Sequence, residues 1–283
     1  MTRSLRQYET GHLKLVPKRR YGQIGTAVFA CLLLAALVNA FIHGNIEWNY
    51  VGQFLLAPAI LTGLWNTLIM TAAAMTLGIL LGVLIAVMRI SGNPVLSTIA
   101  LGYVWIFRGA PALLQLLLWF NLALVFPTLG IAGLFEVRTV DVMTPFVAAM
   151  LALGIQQGAY TSEVVRGGLL SVDSGQYEAA QAIGMTRLLM LRRIVFPQAM
   201  RVILPPIGNE VIGMVKLTSL ASVIQYSEIL NSAQNIYYAN TRVLELLLVA
   251  SFWYLVAVTV LSLGQMLLER RFQRGARRIP ATG

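Results

Sequence analysis

Six apolar runs, separated by short polar stretches, decide what this chain can become. They cover about residues 24–42, 59–88, 98–126, 142–165, 199–224 and 243–268. A helix rises 1.5 Å per residue, so roughly 20 apolar residues cross the hydrocarbon core of a bilayer. With 58% hydrophobic and only 11% charged residues, the chain lacks the polar surface that a soluble domain needs. The expected fold is an all-α integral membrane protein of about six transmembrane helices.

Charge placement orients these helices. A polar tail, residues 1–23, carries Arg3, Arg6, Lys14, Lys18, Arg19 and Arg20. The first run, within 24–43, reads as a retained helix. Val38-Asn39-Ala40 also resembles a cleavage site for a signal peptide, but the basic leader is long for that reading. With a cytoplasmic N-terminus, 18 of the 21 Lys and Arg residues fall on the cytoplasmic side, which includes a basic C-terminal tail at 272–283. Arg138 and Arg242 lie opposite, and Lys216 lies inside a span. This is the asymmetry of the positive-inside rule, so both termini are expected in the cytoplasm. The net charge of +10 is explained by the membrane and needs no nucleic-acid partner.

Between the fourth and fifth runs lies a polar, basic insert with helix punctuation of its own. Asp173, followed three residues later by Gln176, predicts a capping box. A short helix through Tyr177, Glu178, Ala179 and Ala180 then meets Gly184, a residue suited to the positive φ that ends helices. Thr186 predicts the cap of a second helix carrying Arg187, Arg192 and Arg193, and Pro197 is expected to restart the chain. The insert therefore reads as a structured loop, built to touch another protein. An ordinary amphipathic surface helix is the plainer alternative.

Glu178-Ala179-Ala180, three residues, Gly184, nine residues and Ile194-Val195-Phe196-Pro197 resemble the EAA signature of permease subunits in bacterial type I ABC importers. Phe196 stands where that signature usually has Leu. The surrounding GQYEAAQAIGM, FPQAMRVILPPIGNE and VKLTSLASVI are similar to the polar amino-acid (histidine, glutamine and arginine) permeases. Two earlier fragments agree in order and spacing: Leu61-Thr-Gly-Leu-Trp-Asn-Thr67 and Phe107-Arg-Gly-Ala-Pro-Ala-Leu-Leu-Gln115. The resemblance covers about residues 58–271. It implies a five-helix importer core preceded by one extra helix, with residues 173–197 as a cytoplasmic coupling loop in the bacterial inner membrane. It further implies a second permease subunit, of the same chain or a paralogue. Two ATPase subunits holding ATP and Mg, and an extracytoplasmic binding protein that delivers an amino acid, complete the assembly. Glu178, Ala179, Ala180 and Gly184 would pass the motion of the ATPases to the helices.

The chain carries no G-x-x-x-x-G-K-[ST] phosphate loop, since its lysines are Lys14, Lys18 and Lys216 alone. Nothing here hydrolyses ATP by that route, so no catalytic site and no cofactor are expected in this chain. His12 and His43 lie outside the middle of the spans, which leaves a metal site without ligands and a Ser–His hydrolase without its base. The lone Cys31 forms no disulfide framework.

Inside the spans Lys216 stands out, because an ionisable group at that depth is costly and usually faces a cavity or a partner. Its ammonium could receive a substrate carboxylate, helped by Thr218 and Ser219. Snorkelling, or pairing with Glu210, is the structural alternative. Leu217 occupies a position where the resembled permeases often carry an acid, which leans the substrate toward neutral or acidic amino acids. Asn66 and Thr67 serve equally as pathway or as interhelical glue. Gly78 and Gly82 have the spacing of close helix packing, and Glu163 and Arg166 are expected to pair between helices. Arg108 reads as an interfacial anchor. An ATP-independent carrier or channel for small polar solutes is the alternative function. It lacks support in the form of repeated halves.

Overall fold

The computed structural model describes residues 21–131 and 135–273, in two units that divide after Glu47. The basic tail expected over 1–23 falls outside the described residues except for its last three, which begin a helix. Most of the 272–283 tail lies outside them as well. The first unit presents α1, Tyr21–Ile42, an apolar helix.

The second unit opens with α2 (Trp48–Leu55), a short amphipathic helix absent from the sequence reading, and α3 (Pro58–Ile90). Val51 and Phe54 of α2 pack against a core that includes Ile60 and Leu246, so this segment has one apolar side and stays too short to span. The third apolar run is two helices, α4 (Pro94–Gly109) and α5 (Ala112–Phe120), bent by 101° at Ala110-Pro111. Pro111 disfavours helix at the residue before it, which explains the break at the interruption seen in the sequence. Gln115 mends part of the damage by donating from Nε2 to the freed carbonyls of Phe107 and Ala110, at 3.1 and 2.9 Å.

Next comes an antiparallel pair, β1 (Thr128–Ile131) with β2 (Phe135–Arg138), followed by the single turn α6 (Thr139–Val142). Then come α7 (Pro145–Leu170), α8 (Ser174–Ala182), α9 (Arg187–Met190) and α10 (Phe196–Leu217). A 3-10 stretch over Thr218–Ile224 leads to α11 (Ile229–Asn240) and α12 (Val243–Gln273). Among the described residues four helical stretches are long and apolar enough to cross a membrane, or five with the bent pair as one. By length α7 is a further span, although its polar residues keep it below the same hydropathy mark.

That polar helix is the most enclosed of all. Gln156, Gln157, Thr161 and Ser162 are buried along with Ala148, Ala152 and Gly158. In a bilayer the usual rule turns over: lipid is the apolar solvent, so polar side chains go inside the bundle and apolar helices surround them. The main neighbour of α7 is α3, and glycines let the two backbones approach. A Cβ at Gly78 would lie 2.7 Å from Gln157 Cγ, and one at Gly82 would lie 2.6 Å from Thr161 Cβ. In return, Gly154 and Gly158 receive Leu77 and Leu81 of α3. The spacing at 78 and 82 thus finds a matching pair on the partner helix.

The fifth run departs from expectation. Pro197 does not restart the chain; α9, a π turn over Leu191–Val195 and α10 make one continuous rod. The Phe196 N–H bonds five residues back to the Leu191 carbonyl, widening the helix at the point where Pro197 follows without an N–H. Proline in the first turn after that widened turn leaves little unsatisfied, so the helix carries on.

These contacts make the α3–α7 seam intolerant of bulk. Gly82→Ile should cost about 2 kcal/mol through overpacking, read as a lowered unfolding temperature of the detergent-solubilised protein. Gly102→Ala, at a position with nothing within 4 Å of an added Cβ, should leave it unchanged.

Candidate functional site

The polar insert folds as its punctuation predicts. Asp173 caps α8, its Oδ1 accepting from the Gly175 N–H at 2.8 Å. The reciprocal half of the capping box does not form, because Gln176 Oε1 accepts instead from Gln198 Nε2 at 3.3 Å, across the loop on the rod. At the other end Gly184 has φ +75°. The Gly184 N–H bonds to the Gln181 carbonyl and the Met185 N–H to the Ala180 carbonyl, closing the helix with a full Schellman pair. Thr186 caps α9 by accepting from the Leu189 N–H at 3.4 Å.

The two alanines of α8 face opposite ways. Ala180 is buried in a core with Val172, Met190, Val195 and Ala199, which also takes Ala86 from α3 and Val165 from α7. Ala179 and Glu178 are exposed, and Ile183 is 76% exposed. The two residues point about 100° apart around the helix, and burial leaves only Ala179 on the outward side. The outward face of α8 is therefore Glu178, Ala179 and Ile183, with Ala180 seating the helix on its own chain. Ile183, the residue that ends α8, is the apolar part of that surface.

Behind this face stands a charged cluster. Glu163 Oε1 meets Arg89 Nη1 of α3 at 3.2 Å, and Glu163 Oε2 meets Arg166 Nη2 at 2.7 Å. The Glu163–Arg166 pair lies within α7 and not between helices as expected, since three residues is about one turn. The interhelical partner is Arg89, in the last turn of α3. Arg108 lies 5.0 Å from the Tyr160 ring centre, a cation–π contact between α4 and α7.

Toward the C-terminal end of the rod, Asn209 and Lys216 are exposed on one face with Gly213 between them. A Cβ at Gly213 would meet nothing within 4 Å. Lys216 does not pair with Glu210. That carboxylate turns toward α7, where Gln157 Nε2 and Thr161 Oγ1 donate to its Oε2 at 2.7 and 2.9 Å. Leu217 packs against the core of Met75, Leu153 and Met214. An uncharged residue there is accounted for by packing, so it carries no information on the sign of a substrate. Thr218 is fully buried and donates to the Val215 carbonyl, while Ser219 donates to the Lys216 carbonyl, both at 2.7 Å.

Asn66 and Thr67 sit elsewhere, beneath the start of α11. Asn66 Nδ2 donates to the Ser227 carbonyl at 2.7 Å, and the buried Thr67 hydroxyl accepts from the Ile229 N–H at 3.2 Å. Glu228, missed by sequence reasoning, completes this junction. It is wholly buried, caps α11 by accepting from the Leu230 and Asn231 N–H groups, and also accepts from the Tyr254 hydroxyl of α12. Glutamate is not among the usual capping residues, so the sequence carried no clear signal for this role. Gly63 gives this junction room, since a Cβ there would lie 2.9 Å from the Glu228 carbonyl oxygen.

With this geometry in view, the comparisons are concordant. Residues 78–274 match the family described as the binding-protein-dependent transport system inner membrane component, and the chain belongs to that family. It is 38% identical to the arginine transport system permease protein ArgU of Corynebacterium glutamicum, over 93% of this chain and 84% of that one. It is 40% identical to the nopaline transport system permease protein NocM of Agrobacterium fabrum, over 75% and 87% of the two chains. A solved amino acid ABC transporter with histidines matches at 34% identity and a TM-score of 0.68, over 78% of this chain and 98% of that one. The chain is thus a multi-pass membrane permease with the type I ABC importer fold.

The closure of α8 depends on a backbone shape that only glycine adopts freely. Gly184→Val should cost about 1–2 kcal/mol. The cost should be seen as faster amide exchange at positions 184 and 185, while the seam between α3 and α7 keeps its protection.

Proposed function

We propose that this chain is the transmembrane subunit of an ATP-driven importer that carries a polar amino acid across the bacterial cytoplasmic membrane by alternating access. The observation that carries this reading is α8. It is a short helix capped at both ends and seated on the core through Ala180, with Glu178, Ala179 and Ile183 turned outward. A helix fixed so firmly by its own chain yet bearing an exposed apolar residue beside a carboxylate suits a groove on a partner. That partner is an ATPase subunit, two copies of which bind ATP and Mg and supply the energy that this chain has no phosphate loop to harvest. Gly184 keeps the helix short and set at its angle.

The assembly includes a second permease subunit, a copy of this chain or a paralogue, and an extracytoplasmic binding protein. Residues 58–271 form the importer domain, with 173–197 as the coupling loop and 24–43 as an added transmembrane helix. The basic distribution puts α8 and both tails in the cytoplasm. Lys216 receives the substrate carboxylate along the exposed face of the rod, with Ser219 nearby. Asn66, Thr67 and Thr218, whose polar groups are already engaged, support the walls of that route. The relatives named for arginine and nopaline transport support an amino-acid cargo.

Proteoliposomes holding this chain with the ATPase and binding protein purified from its own host test the reading with a mixture of labelled amino acids. Uptake should require all components and ATP; uptake by this chain alone would make it a carrier and overturn the proposal. Glu178→Arg should reduce ATP-driven uptake at least tenfold with the permease still in the membrane. Lys216→Met should slow uptake while leaving the ATPase bound, and unchanged kinetics would remove Lys216 from the route.

A further inference from the structure

The cluster behind α8 is not needed to build the docking face, and its geometry gives it another task. Glu163 holds one arginine on each carboxylate oxygen: Arg89, from the last turn of α3, on Oε1, and Arg166, one turn further along α7, on Oε2. Arg166 adds a second contact through Nε at 3.1 Å, so its guanidinium is gripped side-on. The side chains of Arg89, Glu163 and Arg166 are 20%, 24% and 32% exposed, which shields them from the salt screening that makes surface pairs weak.

Position gives this trio its meaning. Glu163 lies ten residues before the α8 cap Asp173, on the helix from which the insert emerges. The core that seats Ala180 also contains Ala86 of α3 and Val165 of α7. About two turns before Arg89 on α3, Gly82 packs against Thr161. Two kinds of contact therefore bind α3 to α7. The glycine seam holds the two backbones close, with Leu77 and Leu81 seated on Gly154 and Gly158, through short-range packing alone. The ion pair resists sliding, because a carboxylate shared by two directional guanidinium contacts fixes axial register as well as distance.

We propose that Glu163 is the positioning residue that passes displacement of α8 to α3, keeping α3 and α7 in register so that they move as one body. This rests on the reading that α8 docks an ATPase. Without the link, α3 would be driven only through Ala86 and the glycine seam, and would lag behind α7 and the rod. Since Asn66 and Thr67 hold the start of α11 from the far part of α3, the lag would be felt there.

The test uses the complete reconstituted transporter and the mixture of labelled amino acids. Glu163→Gln should reach the membrane and retain the ATPase. ATP hydrolysed per amino acid imported should rise at least tenfold, a ratio that mere loss of folded protein would not move. In a Cys31→Ser background, Arg89→Cys with Glu163→Cys should show the same defect. A bis-methanethiosulfonate linker across the two thiols should restore the ratio, and reductant should abolish the rescue. An unchanged ratio in Glu163→Gln overturns the proposal. So does a linker that forms without restoring it, or a failure of both variants to reach the membrane, which would make the cluster a folding element only. Glu178→Arg run in parallel separates the two readings. If that variant also imports normally, the docking role of α8 fails; if it alone is defective, only the Glu163 link fails.

Discussion

Close backbone contact between α3 and α7 is the constraint on which this architecture depends. Two pairs of glycines interleave across the seam, Gly78 and Gly82 from one side and Gly154 and Gly158 from the other. In a bilayer there is no gain from moving apolar surface out of lipid, so helices associate through dispersion at short range and through hydrogen bonds. The seam provides the first. It also brings α7 to the centre, where Gln157 and Thr161 can meet Glu210 without any of the three facing lipid. Removing the glycines would push apart the one helix that cannot tolerate hydrocarbon.

A second theme is how the chain handles its prolines. Pro111 breaks a span into two helices, and Gln115 caps the loose carbonyls. Pro197 breaks nothing, because a π turn precedes it. Pro205 and Pro206 lie within α10, and the Pro205 carbonyl accepts from Gln265 Nε2 of α12 at 3.1 Å. At each of the first two positions the outcome is set by the turn ahead of the ring. No residue-level rule in the sequence announces a π turn, which is why Pro197 was read as a restart.

Much of the framework was legible. Apolar length located the spans, and the caps of the insert were readable to the residue: Asp173, Gly184 and Thr186 all take their expected roles. What escaped was direction. Gln176 points to Gln198 and not to its own cap, Ala180 points inward and not out, and Glu163 reaches Arg89 on a helix seventy residues earlier. Linear spacing fixes which residues share a turn, but orientation of that turn is decided by tertiary neighbours. The brief helix at Trp48–Leu55 escaped for a different reason, since eight residues carry too little periodicity to distinguish from an anchor of aromatic side chains. Glu228 was overlooked because it lies between elements, where a charged residue is ordinarily a solvated one.

The face of the rod that carries Asn209, Gly213 and Lys216 has a consequence for the life of the chain in a cell. An amide, a bare backbone and an ammonium would meet acyl chains if one copy were left alone, at a cost of several kcal/mol for the cation by itself. A solitary copy is consequently a strained guest in its own membrane, drawn to anything that hides this stripe. If a second permease subunit covers this stripe, as proposed above, a chain inserted without one carries that cost unrelieved.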